Sequence, residues 1–462
     1  MKRNNATPGN EDQYKQKNSK DSLMDNEVIY EFGGPIGAIG LILFSHFIMI
    51  YLWVSLEFHD GNVFYPSGFT DIWPWLVRVF GLWYQYALPT VESVKIYGTF
   101  ILIEVLLAMF IPGLKIKGLP VPSENGKQLE YNCNAIHSWY ILLSLVIFLQ
   151  YFKIWSLASV IDNFAPLITT AILGANILSI ILYISAFLTN KTHRMSGNHI
   201  YDFFMGASLN PRFFNIDLKM WAEVRVSWAL LFFLTLSAAV KQYETIGEIS
   251  AEMFIVVLAH FLYANACHKG EHCIPTTWDI FYEKWGWMII YWNLAGVPFV
   301  YSFQSRFILK HHPIGNGAFL NTILIILLLL AYYVFDTANA QKNQFRMIEY
   351  GTYVKRNTFP QLPWGVLENP RYLNTEHGNK LLIDGWYRYA RKIHYTADTL
   401  MALIWGLSCG YSHFLPFFYV CFFTGMIIHR YLRDQHRCKK KYGKDWEKYC
   451  KIVPYVFIPY IY

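Results

Sequence analysis

Long apolar stretches punctuated by short polar ones run along almost the whole chain. Crossing a bilayer takes about 20 consecutive apolar residues in a helix. Ten stretches meet or approach that length: 36–56, 97–113, 136–155, 165–188, 224–241, 250–266, 286–303, 317–335, 396–411 and 414–430. The aliphatic run Ile323–Leu330 has no competing reading as a soluble core helix, and the last two stretches form a hairpin through Tyr411–His413. The pattern predicts an all-α, polytopic helical membrane bundle.

Charge adds an orientation. Lys and Arg concentrate on the cytosolic side of membrane proteins. The segment 336–395 holds nine basic residues and the tail after His429 another nine, whereas 156–164 and 411–413 hold none. Segment 57–96 has only Arg78 and Lys95. Both termini are therefore expected in the cytosol. Residues 1–29 are polar and lysine-rich, without the apolar core of a cleaved leader, and read as a disordered cytosolic tail; residues 30–462 read as one membrane domain.

Composition agrees: 54% of the 462 residues are hydrophobic, 18% aromatic and only 15% charged. Soluble chains carry about a quarter charged residues. The net charge of +7 is too unevenly placed to suggest a nucleic-acid partner, and the lipid bilayer is the expected surrounding. The seven cysteines show no paired disulfide spacing.

Several nucleotide and metal signatures are absent. Gly315-Asn316-Gly317 lacks a third glycine and opens an apolar run, so it is no dinucleotide turn. Gly33, Gly34, Gly37 and Gly40 have the spacing of close helix contacts. Cys267-His268-Lys269-Gly270-Glu271-His272-Cys273 fits no common zinc spacing, and His311-His312 before Pro313 reads as a loop feature, so no metal is expected.

The polar chemistry gathers near the C-terminus. Arg430, Arg433, Asp434, Arg437 and Lys441 recur at steps of three and four, one helical face, with Lys439, Lys440 and Tyr442 at its end. Such a face is either a flank against lipid headgroups or a phosphate clamp. Lys342 and Arg346 form a second cationic face on the same side, and the aromatic segment Leu381–Asp398 lies between the two. Ionisable groups at membrane depth default to functional candidates. Asp398 and Asp279 are the carboxyls considered as acids, with Glu252 and Glu283 also near span edges.

Read together, these blocks are familiar. Asp384-Gly385-Trp386-Tyr387, Ala390-Arg391, Tyr395 and Asp398 are followed by Leu415-Pro416-Phe417-Phe418-Tyr419 and His429-Arg430. Arg433-Asp434, Cys438, Lys441-Tyr442-Gly443-Lys444-Asp445-Trp446 and Pro454-Tyr455 complete the series. With Gly197–Gly206, Leu209-Asn210-Pro211-Arg212 and Asp217-Leu218-Lys219, they resemble the membrane sterol reductase family over roughly residues 30–462. That family contains the C14, C7 and C24(28) sterol reductases and the lamin B receptor. Asp384–Arg388, Arg391–Asp398, Thr358–Trp364 and Trp292–Pro298 are similar to the fungal branch acting on the Δ24(24(1)) bond. Asn293 stands where other branches commonly carry aspartate, and His394 replaces the usual asparagine.

The resemblance implies NADPH-dependent reduction of a sterol C=C bond within the endoplasmic reticulum membrane, or the inner membrane of a bacterial source. A C14 or C7 ring reductase and a non-catalytic, lamin B receptor-like scaffold are the alternatives. It also implies a cofactor site of Lys342, Arg346, Leu382, Tyr387, His394, Tyr395, Asp434, Cys438, Lys439, Lys440, Lys441, Tyr442 and Tyr449. Asp398 and Asp279 are the candidate proton donors.

Overall fold

The computed structural model describes residues 30–121, 126–354 and 359–461; the predicted tail 1–29 and Thr358 lie outside them. The chain is a polytopic helical membrane bundle. Among the described residues, seven helices are long and apolar enough to cross a membrane. These are α1 (Gly34–Phe58), α3 (Val91–Phe110), α5 (Phe164–Leu188), α6 (Leu218–Ile246), α7 (Ala251–Lys269), α10 (Ala318–Glu349) and Leu415–Tyr442, which contains α12 (Phe418–Tyr442). The other three predicted spans fall on shorter helices. They are α4 (Ala135–Tyr151), α8 (Trp287–Tyr291 continuing through Trp292–Gly296 to Val297–Tyr301) and α11 (Ile393–Leu407).

Segment 57–96 is more than a connector, because it contains α2 (Ile72–Tyr86). Only Val79 of that helix is buried, while Trp73, Val77, Phe80 and Tyr84 are exposed. Apolar and aromatic side chains facing outwards suit lipid contact, which is why a hydropathy run did not separate α2 from its loop. Likewise the first part of segment 336–395, up to Glu349, is the continuation of α10 beyond its apolar part. A short helix, α9 (Phe303–His311), and a final amphipathic one, α13 (Lys444–Ile452), complete the framework.

Helix ends follow local chemistry. Thr90 and Ser93 cap α3 reciprocally, each side-chain oxygen accepting the other's amide, at 3.1 and 2.9 Å. Ser250 caps α7 through the Met253 amide, and Gly247 ends α6 at φ 80°.

Two facing helices are irregular at the same level. α6 carries a π turn at Ala222–Val226 and α8 another at Trp292–Gly296. Pro298 has no amide hydrogen, so neither the Leu294 nor the Asn293 carbonyl receives the bond that position would supply. Within a bilayer such carbonyls need internal donors. The Tyr97 hydroxyl donates to Leu294 O at 2.9 Å, and Ser227 Oγ shares its hydrogen between Asn293 O and Ala222 O, each at 3.0 Å.

The long-range pairs sort the loops into two ends. Arg433 of α12 binds Glu31, 402 residues earlier, and also Glu283, so the N-terminal segment, the 270–286 connection and the tail share one end. His311 meets both Asp60 and His413 at the other end. This sidedness matches the distribution of basic residues.

Candidate functional site

α11 packs against both α10 and α12, and these helices, with parts of α1, α6, α7 and α8 and of the polar connections, line a cavity of about 2390 Å³. A single drug-sized ligand occupies roughly 300–1,000 Å³. The space exceeds the volume of a pocket for one such ligand.

One end of the cavity is cationic and aromatic. Lys342 and Arg346 face it from α10, and neither forms an ion pair or hydrogen bond among the described residues. The half-buried Lys342 ammonium lies over the Tyr387 ring, 5.3 Å from its centroid. Lys392 Nζ binds Asp434 Oδ2 at 2.5 Å, while Arg437 binds the other oxygen of that carboxylate at 2.6 Å. Lys392 also lies 5.5 Å over the Tyr395 ring. The single charge of Asp434 thus offsets only part of this cationic group. A built-in surplus of positive charge beside aromatic faces suits a phosphate-bearing, ring-containing ligand.

The walls are held by short-range geometry. Gly385 sits at φ 59°, and a Cβ there would lie 2.3 Å from Gln341 Oε1. That same oxygen accepts the Trp386 amide at 2.9 Å, so the turn presenting Tyr387 is locked onto α10. The Tyr387 hydroxyl lies 3.3 Å from His394 Nδ1, and burial pushes that hydroxyl above the usual tyrosine range. The segment after α13 closes the entry to α11. Tyr455 O accepts the Arg391 amide at 3.0 Å, and Val456 O accepts the Lys392 amide at 2.8 Å. Trp446 and Tyr449 of α13 pack with Cys438 and Tyr442 of α12.

The sequence-derived cofactor residues converge on this end. Lys342, Arg346, Leu382, Tyr387, His394, Tyr395, Asp434, Cys438, Lys440, Lys441, Tyr442 and Tyr449 all line the cavity. Lys439 does not; it is exposed on the outer side of α12. The arginine face of α12 is more heavily engaged than its spacing suggested. Arg430 binds Asp279 at 2.7 Å, Arg433 binds Glu31 and Glu283, and Arg437 stacks 3.9 Å over Trp278.

The two candidate acids differ in setting. Burial by itself raises the Asp279 carboxyl, but Arg430, helped by Lys219 and Arg437, outweighs it and holds the group below the usual range. Asp398 is buried, lines the cavity one helical turn from His394 and Tyr395, and accepts the Tyr263 hydroxyl at 3.3 Å. It has no cationic partner among the described residues. Beyond it the lining turns apolar, through Trp228, Met288, Trp292, Phe422 and Met426. Asn293 also lines the cavity, buried, with its Nδ2 unpartnered among the described residues.

Residues 26–462 match the sequence profile described as the ergosterol biosynthesis ERG4/ERG24 family. The chain belongs to that family. Delta(24(24(1)))-sterol reductase erg4A of Aspergillus fumigatus is 43% identical over 95% of this chain and 94% of its own length. Delta(24(24(1)))-sterol reductase of Gibberella zeae is 44% identical over 96% of this chain and 74% of its own. Delta(14)-sterol reductase of Methylotuvimicrobium alcaliphilum is 31% identical over 97% and 100%. As a member of the ERG4/ERG24 family, this chain is a membrane protein of the sterol reductase type.

Sequence reasoning missed Tyr263, Lys392 as the partner of Asp434, and Trp278 under Arg437. Lys392 lay inside the aromatic segment and was open to recognition as a cation between stacked rings. Tyr263 lies within an apolar span with no local pattern to single it out.

Proposed function

We propose that the protein reduces the side-chain Δ24(28) double bond of a sterol, with NADPH as reductant, in the endoplasmic reticulum membrane. The observation that carries this reading is one continuous cavity. It joins an incompletely neutralised cationic, aromatic end to an apolar end, with the buried Asp398 carboxyl lining the same space.

The residues fit the cofactor. Lys342 and Arg346 would meet phosphates, Tyr387, His394 and Tyr395 the rings, and Tyr442 and Tyr449 the remaining wall. Bound there, NADPH supplies hydride. Asp398 holds the proton, kept in place by Tyr263. Delivered to the methylene carbon C28, that proton would leave positive charge on the tertiary carbon C24. Trp228, Trp292 and Phe422 keep water from the cation. Asp279 is the weaker donor, because its salt bridge with Arg430 favours the ionised form. Preference for the side-chain bond is supported by the names of the two relatives at 43% and 44% identity; those at 31% to 35% are named for the Δ14 bond.

Purified full-length protein given NADPH and a panel of Δ24(28), Δ14 and Δ7 sterols tests this reading. Reduction of the Δ24(28) sterol at least tenfold faster than the others is expected. Preference for a ring double bond would overturn the assigned substrate, and no NADPH consumption with any sterol would overturn the activity.

A further inference from the structure

Three residues that no part of the sterol cavity uses meet at the opposite end of the bundle. Asp60 follows α1, His311 ends α9, and His413 lies in the hairpin between α11 and α12. One ligand atom from each lies within 4.8 Å of the others. His311 Nε2 is 3.2 Å from Asp60 Oδ1 and 3.2 Å from the Asp60 carbonyl oxygen, and the two imidazole centroids are 5.3 Å apart.

The hydrogen bonding of His311 points to an ion. Its Nδ1 lies 3.1 Å from the Phe307 carbonyl, an acceptor only, so Nδ1 carries the hydrogen. In the neutral ring Nε2 then offers a lone pair, and it is aimed at two oxygens that also offer lone pairs. Either a proton on Nε2 or a metal cation between them resolves that mismatch. Metal-binding histidines characteristically donate their second nitrogen to a backbone carbonyl in this way. Donor atoms around a tetrahedral zinc stand about 3.3 Å apart, from bond lengths of roughly 2.0–2.1 Å. The 3.2 Å between His311 Nε2 and Asp60 Oδ1 matches, and the three donor atoms lie within 4.8 Å of one another.

The surroundings hold the ligands in position. Phe307, fully buried, stacks on His311 at 4.1 Å and meets His413 edge-on at 5.3 Å. Asp60 adopts φ 52°, a left-handed conformation uncommon outside glycine. Gly61 follows at φ 72°, where a Cβ would stand 2.8 Å from Phe307 and 3.3 Å from His311. The loop is therefore wrapped tightly over the ring, while the Asp60 side chain stays 75% exposed and gives a metal access.

We propose that Asp60, His311 and His413 form a zinc site on the non-cytosolic face, with water completing the shell. Imidazole and carboxylate donors suit zinc among the divalent transition metals. The ion ties the hairpin between α11 and α12, the helices bearing Asp398 and Asp434, to the turn after α1 and the end of α9.

The test is Co²⁺ titration of chelator-treated, full-length protein in nanodiscs, followed by visible absorption and by displacement with Zn²⁺. One Zn²⁺-displaceable Co²⁺ per chain is expected, bound at least tenfold more weakly by His311→Ala and His413→Ala. Thermal unfolding without metal checks that each variant is folded. If His311→Ala fails to fold, His413→Ala and Asp60→Asn decide. The absence of saturable binding, or binding that survives in His413→Ala, overturns the site and leaves a protonated His311 paired with Asp60.

Discussion

The Tyr263 hydroxyl donates to Asp398 Oδ2 at 3.3 Å across 135 residues of sequence, inside a bundle that buries both side chains. A carboxyl with a neutral donor and no cation beside it keeps a proton more readily than one in a salt bridge. Asp398→Asn should lower sterol turnover by roughly 10²–10⁴-fold, the usual contribution of a positioned acid. NADPH affinity should stay within about threefold, since a neutral amide of the same shape fills the position. Tyr263→Phe should cost less, about tenfold. Steady-state turnover beside direct NADPH binding separates these effects, and near-normal turnover in Asp398→Asn removes it from the mechanism.

Lys342 and Arg346 should act on affinity rather than on the chemical step. Charge-assisted hydrogen bonds contribute about 1.5–3 kcal/mol each. Alanine at either position should therefore raise the NADPH dissociation constant about ten- to a hundredfold, with maximal turnover little changed at saturating cofactor. Lys439→Ala, outside the cavity, should leave binding unaltered. Equal losses in all three variants would indicate a general electrostatic effect instead of contacts.

Gly385 has no room for a side chain, because a Cβ would stand 2.3 Å from Gln341 Oε1 at a φ of 59°. Gly385→Ala should displace the turn that presents Tyr387 and destabilise the fold by about 1–3 kcal/mol. It should also weaken NADPH binding, whereas Gly40→Ala, with nothing near its Cβ, should change neither property. Thermal unfolding and cofactor titration of the two variants check this.

Ser227→Ala should destabilise the protein by about 1–3 kcal/mol, because it leaves the buried Asn293 carbonyl without its donor. Tyr97→Phe should do the same to Leu294 O. If neither variant lowers the unfolding temperature, the π turns are held by other packing.

Lys284, in the connection before α8, donates to Arg194 O at 2.9 Å. Burial lowers its ammonium from 10.5 to about 8, although Asp202 and Glu283 oppose that shift. Between those two values the unfolded chain binds the extra proton, so this group adds stability as pH rises from about 8 towards 10.5. Wild type should thus gain stability relative to Lys284→Met over that window, by up to a few kcal/mol. A flat difference in unfolding midpoint between pH 7 and pH 9.5 would show that the ammonium is solvated.

The spans, their sidedness and the order of the C-terminal cassette were legible in the linear chain because each rests on neighbours in sequence. Twenty apolar residues, a step of three or four, or a bias in Lys and Arg need no knowledge of the fold. The Lys342 and Arg346 face was legible for the same reason, and it lines the cavity. What the chain order could not reveal was pairing through space. Arg430 and Arg433 read only as part of a cationic face, lipid flank or phosphate clamp; Asp279, Glu31 and Glu283 come to meet them from distant segments. Asp279 and Asp398 looked alike as acids, and only their partners, an arginine and a tyrosine, distinguish them. His311 beside His312 read as a loop feature. Asp60, 251 residues away, and the His413 hairpin supply its chemistry, because packing decides which side chains share a few ångströms of space.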